Sequence, residues 1–255
     1  MSNISSTLLD QSSPEYVLSA WRQRVMTDIA SRLEGDSFFP CVFAKNAFRK
    51  QIIKFIFVEA LDDKGIRHLG EGLKAFVEFS RNWDLRVNTA SPLIVPFSTA
   101  AICADSVEAY HAKGWEVLQR LHEIDPKSWP GDVSHDPENP TWSMCFDGMP
   151  LFINMSSPAH KIRRSRNLGG HFMFVINPRE RFDIVAGDTP TGRMTRSNIR
   201  NRIHRYDGVS HACQLGAYGS ESKEWWQYGL VEENIERVAK CPFKFTKKET
   251  EYTSD

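Results

Sequence analysis

The chain has 255 residues, 41% of them hydrophobic and 25% charged, with 32 Lys and Arg balancing 32 Asp and Glu. That composition describes an ordinary soluble globular chain, and at this length about 70–75% of the unfolded surface can be buried, so a core needs no disulfide or metal staple. No apolar run approaches the ~20 residues of a membrane span, and MSNISSTLLDQSS lacks the basic flank and apolar centre of a secretory signal. The reading is a cytoplasmic protein with no membrane partner. Five cysteines, Cys41, Cys103, Cys145, Cys213 and Cys241, are odd in number, widely spaced and without a CxxC pair, which points to reduced thiols.

Residues 1–12 are Ser-rich and read as a loose arm. Ser13-Pro14-Glu15 reads as a helix cap and first turn, followed by Val17, Trp21, Val25, Ile29 and Leu33 at helical spacing, with Gly35 as the stop. After a turn and the short segment VFAKNAF, Gln51 to Ala60 is apolar enough for a strand covered on both faces. A second helix is expected over about 66–83, with Leu69, Leu73, Phe76, Val77 and Phe79 or Ser80 inward. Pro96 makes LIVPF an edge strand. Ser106 or Asp105 caps a third helix to about Ile124, burying Val107, Tyr110, Trp115, Leu118 and Leu121.

Asp125 to Pro140 holds four prolines and reads as a long loop packed over the sheet. Asp147-Gly148 is a strong hairpin turn between Trp142–Phe146 and Pro150–Met155. His171 to Asn177 is another buried strand, and Pro178 opens a short helix that Gly187 breaks. Thr189 or Thr191 begins a helix in which Met194, Ile199, Ile203 and Tyr206 form an apolar side, and Gly208 ends it. The aromatic segment ESKEWWQYGLVE and a helical turn at Asn234 to Ala239 follow, and the tail from Lys244 is charged and expected to fray. Mixed strands and helices with one clear hairpin predict a single α+β domain, 13–243, built on a largely antiparallel sheet.

The centre of this layout is FINMSSPAHKIRRSRNLGGHFMFVINPRERFD, where one histidine and several arginines lie between two strands. Arg163 to Arg205 contains ten arginines, no lysine and three acids. Arg rather than Lys points to planar, bidentate recognition of carboxylates or phosphates, while surface charges and internal salt bridges are the plainer reading. A nucleic-acid partner is disfavoured, because such domains are basic overall with lysine in the stripe.

The chain contains no Walker loop, GxGxxG, GxSxG or HExxH, and its eight histidines show no metal-ligand spacing. A single histidine can still hold a heme iron while arginines hold the propionates, and His160 with Arg163, Arg164 and Arg166 meets that requirement within seven residues. A histidine beside arginines is most often a structural or surface residue.

Phe39-Pro40-Cys41 near the start and Cys241-Pro242-Phe243 near the end, with SPAHKIRRSRNLG, NPRERFD, IRNRIHRYDG and WWQYGL between them, resemble the YqcI/YcgG family of FPC/CPF-motif proteins, in the family's order from about Phe38 to Phe243. The resemblance implies heme b and N-hydroxylation of a guanidine such as that of L-arginine, in natural-product biosynthesis, with O2 or peroxide as oxidant. It implies a small-molecule guanidine substrate and an external electron donor, and leaves the oligomeric state open. The family pattern P-x-H-x-x-R-x-S-R falls on Pro158, His160, Arg163, Ser165 and Arg166, and its downstream arginines fall near Arg179, Arg200 and Arg202. His160 becomes the expected iron ligand, with His171, His204 and His135 as rivals and thiolate ligation by Cys41 or Cys241 as the minority alternative.

A guanidinium substrate asks for a carboxylate to fork it and an aromatic face to stack on. Asp183 and Glu224 are the carboxylates of the right type, and Trp225, Trp226 and Tyr228 the aromatics, with core packing the plainer reading for the tryptophans. Two other classes remain: a heme-binding carrier or sensor without turnover, and a heme-free domain whose arginines hold an anion or a protein partner.

Overall fold

The computed structural model describes residues 7–35, 37–216, 222–235 and 239–246. Its elements in chain order are β1 (Leu9–Asp10), α1 (Ala20–Leu33), α2 (Val42–Arg49), β2 (Lys54–Phe55), α3 (Asp63–Arg81), β3 (Leu93–Pro96), α4 (Val107–Ile124), β4 (Met144–Phe146), β5 (Met149–Ser156), β6 (Met173–Pro178), α5 (Glu180–Ala186) and α6 (Pro190–Asp207). The strands form one six-stranded sheet in the order β1-β2-β3-β6-β5-β4, antiparallel except where β2 runs parallel to β3. The expected α+β class with a largely antiparallel sheet is the observed one.

Strand period explains how the sheet divides the molecule. On β5, Leu151, Ile153 and Met155 enter one core cluster, as do Phe174 and Ile176 on β6 and Leu93 and Val95 on β3. Their neighbours Ile94 and Met173 enter a second cluster on the opposite face, with Val175 packed against it. The run after Gln51 is divided in the same way: Ile56 and Val58 go to the first cluster and Phe55 and Phe57 to the second. Its ladder is short, two residues plus an isolated bridge from Val58 to Phe97, although the run is covered on both sides.

The first face is closed by α3 and α4, whose inner positions match those expected from spacing. Ser80 rather than Phe79 is the inward residue, Phe79 being 44% exposed. The glycine in the middle of α4 has a packing reason: a Cβ on Gly114 would stand 2.8 Å from Met155 Sδ and 3.0 Å from Phe172 Cζ. On the second face lie α1 and α2, which belong to the second cluster.

Several expectations change. Pro96 does not mark an edge, since β3 lies between β2 and β6. The proline is the last residue of β3, its carbonyl accepts from Val58 N–H, and the next N–H, that of Phe97, donates to Phe172. The missing donor therefore falls at the strand's end, where it interrupts little. Ser13 caps a 3-10 turn over Pro14–Leu18, and extended Ser19 separates that turn from α1. VFAKNAF is α2, capped by the Cys41 thiol, which accepts from Ala44 N–H at 3.4 Å. Leu9 and Asp10, expected in a loose arm, form the edge strand β1.

The hairpin turn is as the dipeptide demands, with positive φ at Asp147 and Gly148. The loop from Asp125 packs through Trp129 on Trp142, Phe243 and Phe245, so Phe245 is anchored within the expected charged tail. The helical turn expected at Asn234 to Ala239 falls partly outside the described residues.

Candidate functional site

Over β5 and β6 the second face remains open. A cavity of about 370 Å³ lies there, floored by Phe152, Asn154 and Ser156 of β5 and Val175 and Asn177 of β6, with α2, α5 and α6 contributing its walls. Polar residues on cavity-facing strand positions are the sign of a surface meant for something other than the core. The apolar side expected of α6 belongs to this space: Ile199 and Ile203 line it, Tyr206 meets Phe39 edge-on at 5.6 Å, and Met194 is 62% exposed rather than buried.

Among the sequence-predicted residues, Arg166, Arg179, Arg200, Asp183 and Glu224 line the cavity; His160, Arg163, Arg164, Arg202, Trp226 and Tyr228 do not. Cys41, Arg181 and Arg196 join the lining. Trp225 and Tyr228 are core residues, Tyr228 stacking on Trp115 at 5.9 Å, and Trp226 packs against the same cluster.

At one end Glu224 is held from every side. Its Oε1 accepts from Ser143 Oγ at 2.6 Å and Tyr228 OH at 2.9 Å, and its Oε2 lies 3.0 Å from Arg179 Nε. Burial lifts this carboxyl to about 7 against the opposing pull of Arg179. Arg179 reaches Asp183 with another nitrogen, 2.9 Å from Oδ1, and burial also raises the Asp183 carboxyl. The two carboxylates predicted to fork a guanidinium thus already hold one, supplied by the chain.

Most of the other arginines tie irregular backbone together. Arg163 donates to Val231 and Ser210 carbonyls, Arg164 to Tyr206, Arg196 to Ala186 and Gly187, and Arg200 to Leu215 and Gly216. Arg202 donates to Pro40 O at 2.9 Å and thereby fixes the Phe39-Pro40-Cys41 segment beside the cavity. Arg166 is buried, donates to Gln227 O, and is depressed to about 10, first by desolvation.

His160 has a different setting. Its Nδ1 pairs with Glu232, whose carboxylate also accepts from Ile162 N–H, and its Nε2 is buried without a hydrogen-bond partner. Desolvation holds the imidazole below its usual range despite Glu232. His111 is the adjacent ring, 5.9 Å away centre to centre. A carboxylate-fixed imidazole with a free Nε2 is the arrangement of many metal-ligating histidines. Of its rivals, His171 packs against Trp21, His135 stacks on Phe245, and His204 faces the Val209 carbonyl.

The cysteines of the two tripeptides lie in different clusters, Cys41 on the cavity face and Cys241 on the closed face, and none of the five cysteines is joined in a disulfide. Burial raises the Cys41 thiol, opposed by the N–H groups of α2 and by Arg166 and Arg202. The cavity thus combines apolar walls, guanidiniums (Arg166, Arg196 and Arg200) and one soft donor, Cys41. That set suits a large apolar group bearing carboxylates, with a thiol rather than an imidazole on the wall. No group of three His, Cys, Asp or Glu side chains able to hold a bare metal ion occurs among the described residues. Likewise no described helix is long and apolar enough to cross a membrane.

Residues 29–244 match the YqcI/YcgG family. The chain belongs to the YqcI/YcgG family. Within it, a Streptomyces lavendulae protein provisionally named N(omega)-hydroxy-L-arginine synthase DcsA is 64% identical over 228 residues, 89% of this chain and 86% of that protein. The Bacillus subtilis (strain 168) proteins YcgG and YqcI, both named as uncharacterized, are 35% and 31% identical over 90% and 82% of this chain, with the same shares of their own lengths. No solved structure matches the chain. The YqcI/YcgG match spans both tripeptides, so it covers both faces of the sheet.

Proposed function

We propose that the protein N-hydroxylates a guanidine, L-arginine or a close guanidino relative, using heme bound in the cavity over β5 and β6. The observation that carries this reading is the 64% identity, over most of both chains, with a protein provisionally named for making N(omega)-hydroxy-L-arginine. In that reaction one oxygen atom enters an N–H bond. With O2 as oxidant the second atom leaves as water, taking two electrons and two protons from an external reductant; with peroxide no external electrons are needed. Heme, when bound, supplies the iron at which the oxidant is activated.

The chain's own residues then have distinct tasks. Arg166, Arg196 and Arg200 are the guanidiniums suited to propionates, and Ile199, Ile203 and Val175 supply apolar surface that excludes water. Cys41, on the cavity wall, would be the thiol that holds the iron, and metal binding would deprotonate a thiol that burial otherwise keeps protonated. His160 is the second reading, favoured by its free Nε2 and its Glu232 anchor, although it lies outside the cavity lining. Arg179, clamped by Glu224 and Asp183, keeps N–H donors in a fixed orientation at the cavity end, where a substrate carboxylate would be received.

Absorption spectroscopy with added hemin tests the cofactor. A Soret shift complete at one heme per chain is expected; no shift would remove both an oxygenase and a heme carrier. Cys41→Ser should rearrange that spectrum and His160→Ala leave it in place, and the opposite pair of results would move the ligand to His160. Incubation with arginine, reductant and oxygen should add the mass of one oxygen to the substrate. Heme binding without product would leave the carrier reading.

A further inference from the structure

We propose that Asn154 orients the substrate guanidine, through an amide oxygen that the fold leaves without a donor. The inference rests on the reading above, in which a guanidino compound binds in this cavity.

The argument begins with strand alternation. In LFINMS on β5, Leu151, Ile153 and Met155 are inward on the closed face, so Phe152, Asn154 and Ser156 stand on the cavity floor. An amide in the interior of a strand is a poor β-former and adds nothing to the ladder, because the β5–β6 backbone register runs unbroken past it, Asn154 opposite Val175. Asn154 Oδ1 is buried and accepts no hydrogen bond. An acceptor left that way costs on the order of 1–3 kcal/mol, which a ligand N–H would recover.

The carboxylates at the cavity end are already engaged by the chain's own groups: Glu224 accepts from Ser143 and Tyr228 and is ion-paired with Arg179, and one oxygen of the half-exposed Asp183 accepts from Arg179. The internal guanidinium of Arg179 therefore occupies the fork that residue type alone would give to the substrate. Asn177, diagonal to Asn154 on the next strand through the Phe152–Asn177 pair, extends the neutral polar floor toward Arg179. A substrate reaching Asn154 with its guanidine and Arg179 with a carboxylate would lie along that floor.

Chemistry favours an amide at this position. A carboxylate beside a guanidinium stabilises its protonated form and keeps nitrogen electrons engaged. A neutral amide oxygen accepts an N–H and fixes direction without adding that stabilisation. The site consequently distinguishes ligands by the presence of N–H donors, as sites built to hydrogen-bond a substrate group do.

Calorimetric titration of the full chain, as purified and with hemin if it takes it up, tests the assignment with two probes, L-arginine and L-norleucine, the second lacking a guanidine. Wild type should bind arginine more tightly. Asn154→Ala should weaken arginine about tenfold and leave norleucine unchanged. Asn154→Asp, matched in size, should bind arginine more tightly while lowering kcat, a split that a merely structural residue would not produce. Failure of wild type to bind arginine would overturn the guanidine reading, and this inference with it. Equal arginine affinity in wild type and a folded Asn154→Ala would overturn the inference alone. If Asn154→Ala does not fold, an arginine affinity unchanged or weakened in Asn154→Asp overturns it instead.

Discussion

The two faces of the sheet are built from the same strands and differ in what covers them. On the closed face α4 packs so tightly on Met155 and Phe172 that Gly114 has no room for a methyl group, and Phe174, Ile176, Leu151 and Met155 are fully buried. On the other face, alternate residues of β5 and β6 are Asn154, Ser156, Val175 and Asn177, and the apolar side of α6 faces a cavity instead of a core. The first face is packed throughout, whereas the second is packed around Val25, Ile29, Phe55 and Phe57 and opens into the cavity over β5 and β6. Of the buried charged side chains, Arg166, Arg179, Arg181 and Glu224 line the cavity, whereas Asp125, Asp147, Arg163 and Asp207 do not.

Adjacent residues of β6 provide the largest contrast. Phe174→Ala should destabilise the fold by about 3–5 kcal/mol, as large-to-small changes in closed cores do, whereas Val175→Ala should cost about 1 kcal/mol, because its side chain meets a cavity on one side. Chemical denaturation of both variants checks this, and equal losses would mean that the two faces are equally packed.

Glu224 gives the next effect, with a defined pH direction. Its folded carboxyl, at about 7, lies above the ordinary value of 4.5, so the folded state binds the proton more tightly than the unfolded chain. Its contribution is present below about pH 4.5 and is lost as pH rises through about 7. The stability of wild type relative to Glu224→Gln should therefore fall across that window, by ~3 kcal/mol at most. Denaturation midpoints of the two proteins between pH 4.5 and 8 measure it, and a difference independent of pH would contradict the assignment.

Arg202 gives a smaller effect. Its forked donors hold the Phe39 and Pro40 carbonyls, a geometry that the point charge of lysine does not reproduce. Arg202→Lys should cost about 1 kcal/mol of stability, yet lower heme affinity more than a lysine at exposed Arg205 does. Melting temperatures and hemin titrations of the pair separate the two.

Much of the closed face was legible in the sequence, because 3.6-residue spacing over Leu69 to Val77 and Val107 to Leu121 states which residues turn inward. The short α2 was not, since its cap is a cysteine, a residue rarely read as one. On the open face residue types were informative and pairings were not. Glu224, Asp183 and Arg179 were each singled out, but a guanidinium from position 179 filling a fork with a carboxylate from position 224 has no signature in spacing. The anchor of His160, Glu232, was missed for the same reason. Asn154 carried one usable signal, a polar residue where the alternation of β5 would allow any apolar one.

The central claim, that the open face is the heme and substrate site, is tested most directly by filling it. Ile199→Trp places a large side chain from α6 into the cavity without touching the closed face. Hemin titration followed in the Soret region, with melting temperature measured alongside, should show stoichiometric binding by wild type and loss of binding by a variant that melts within a few degrees of it. An equally tight, spectrally identical heme complex in the filled variant would place the cofactor elsewhere.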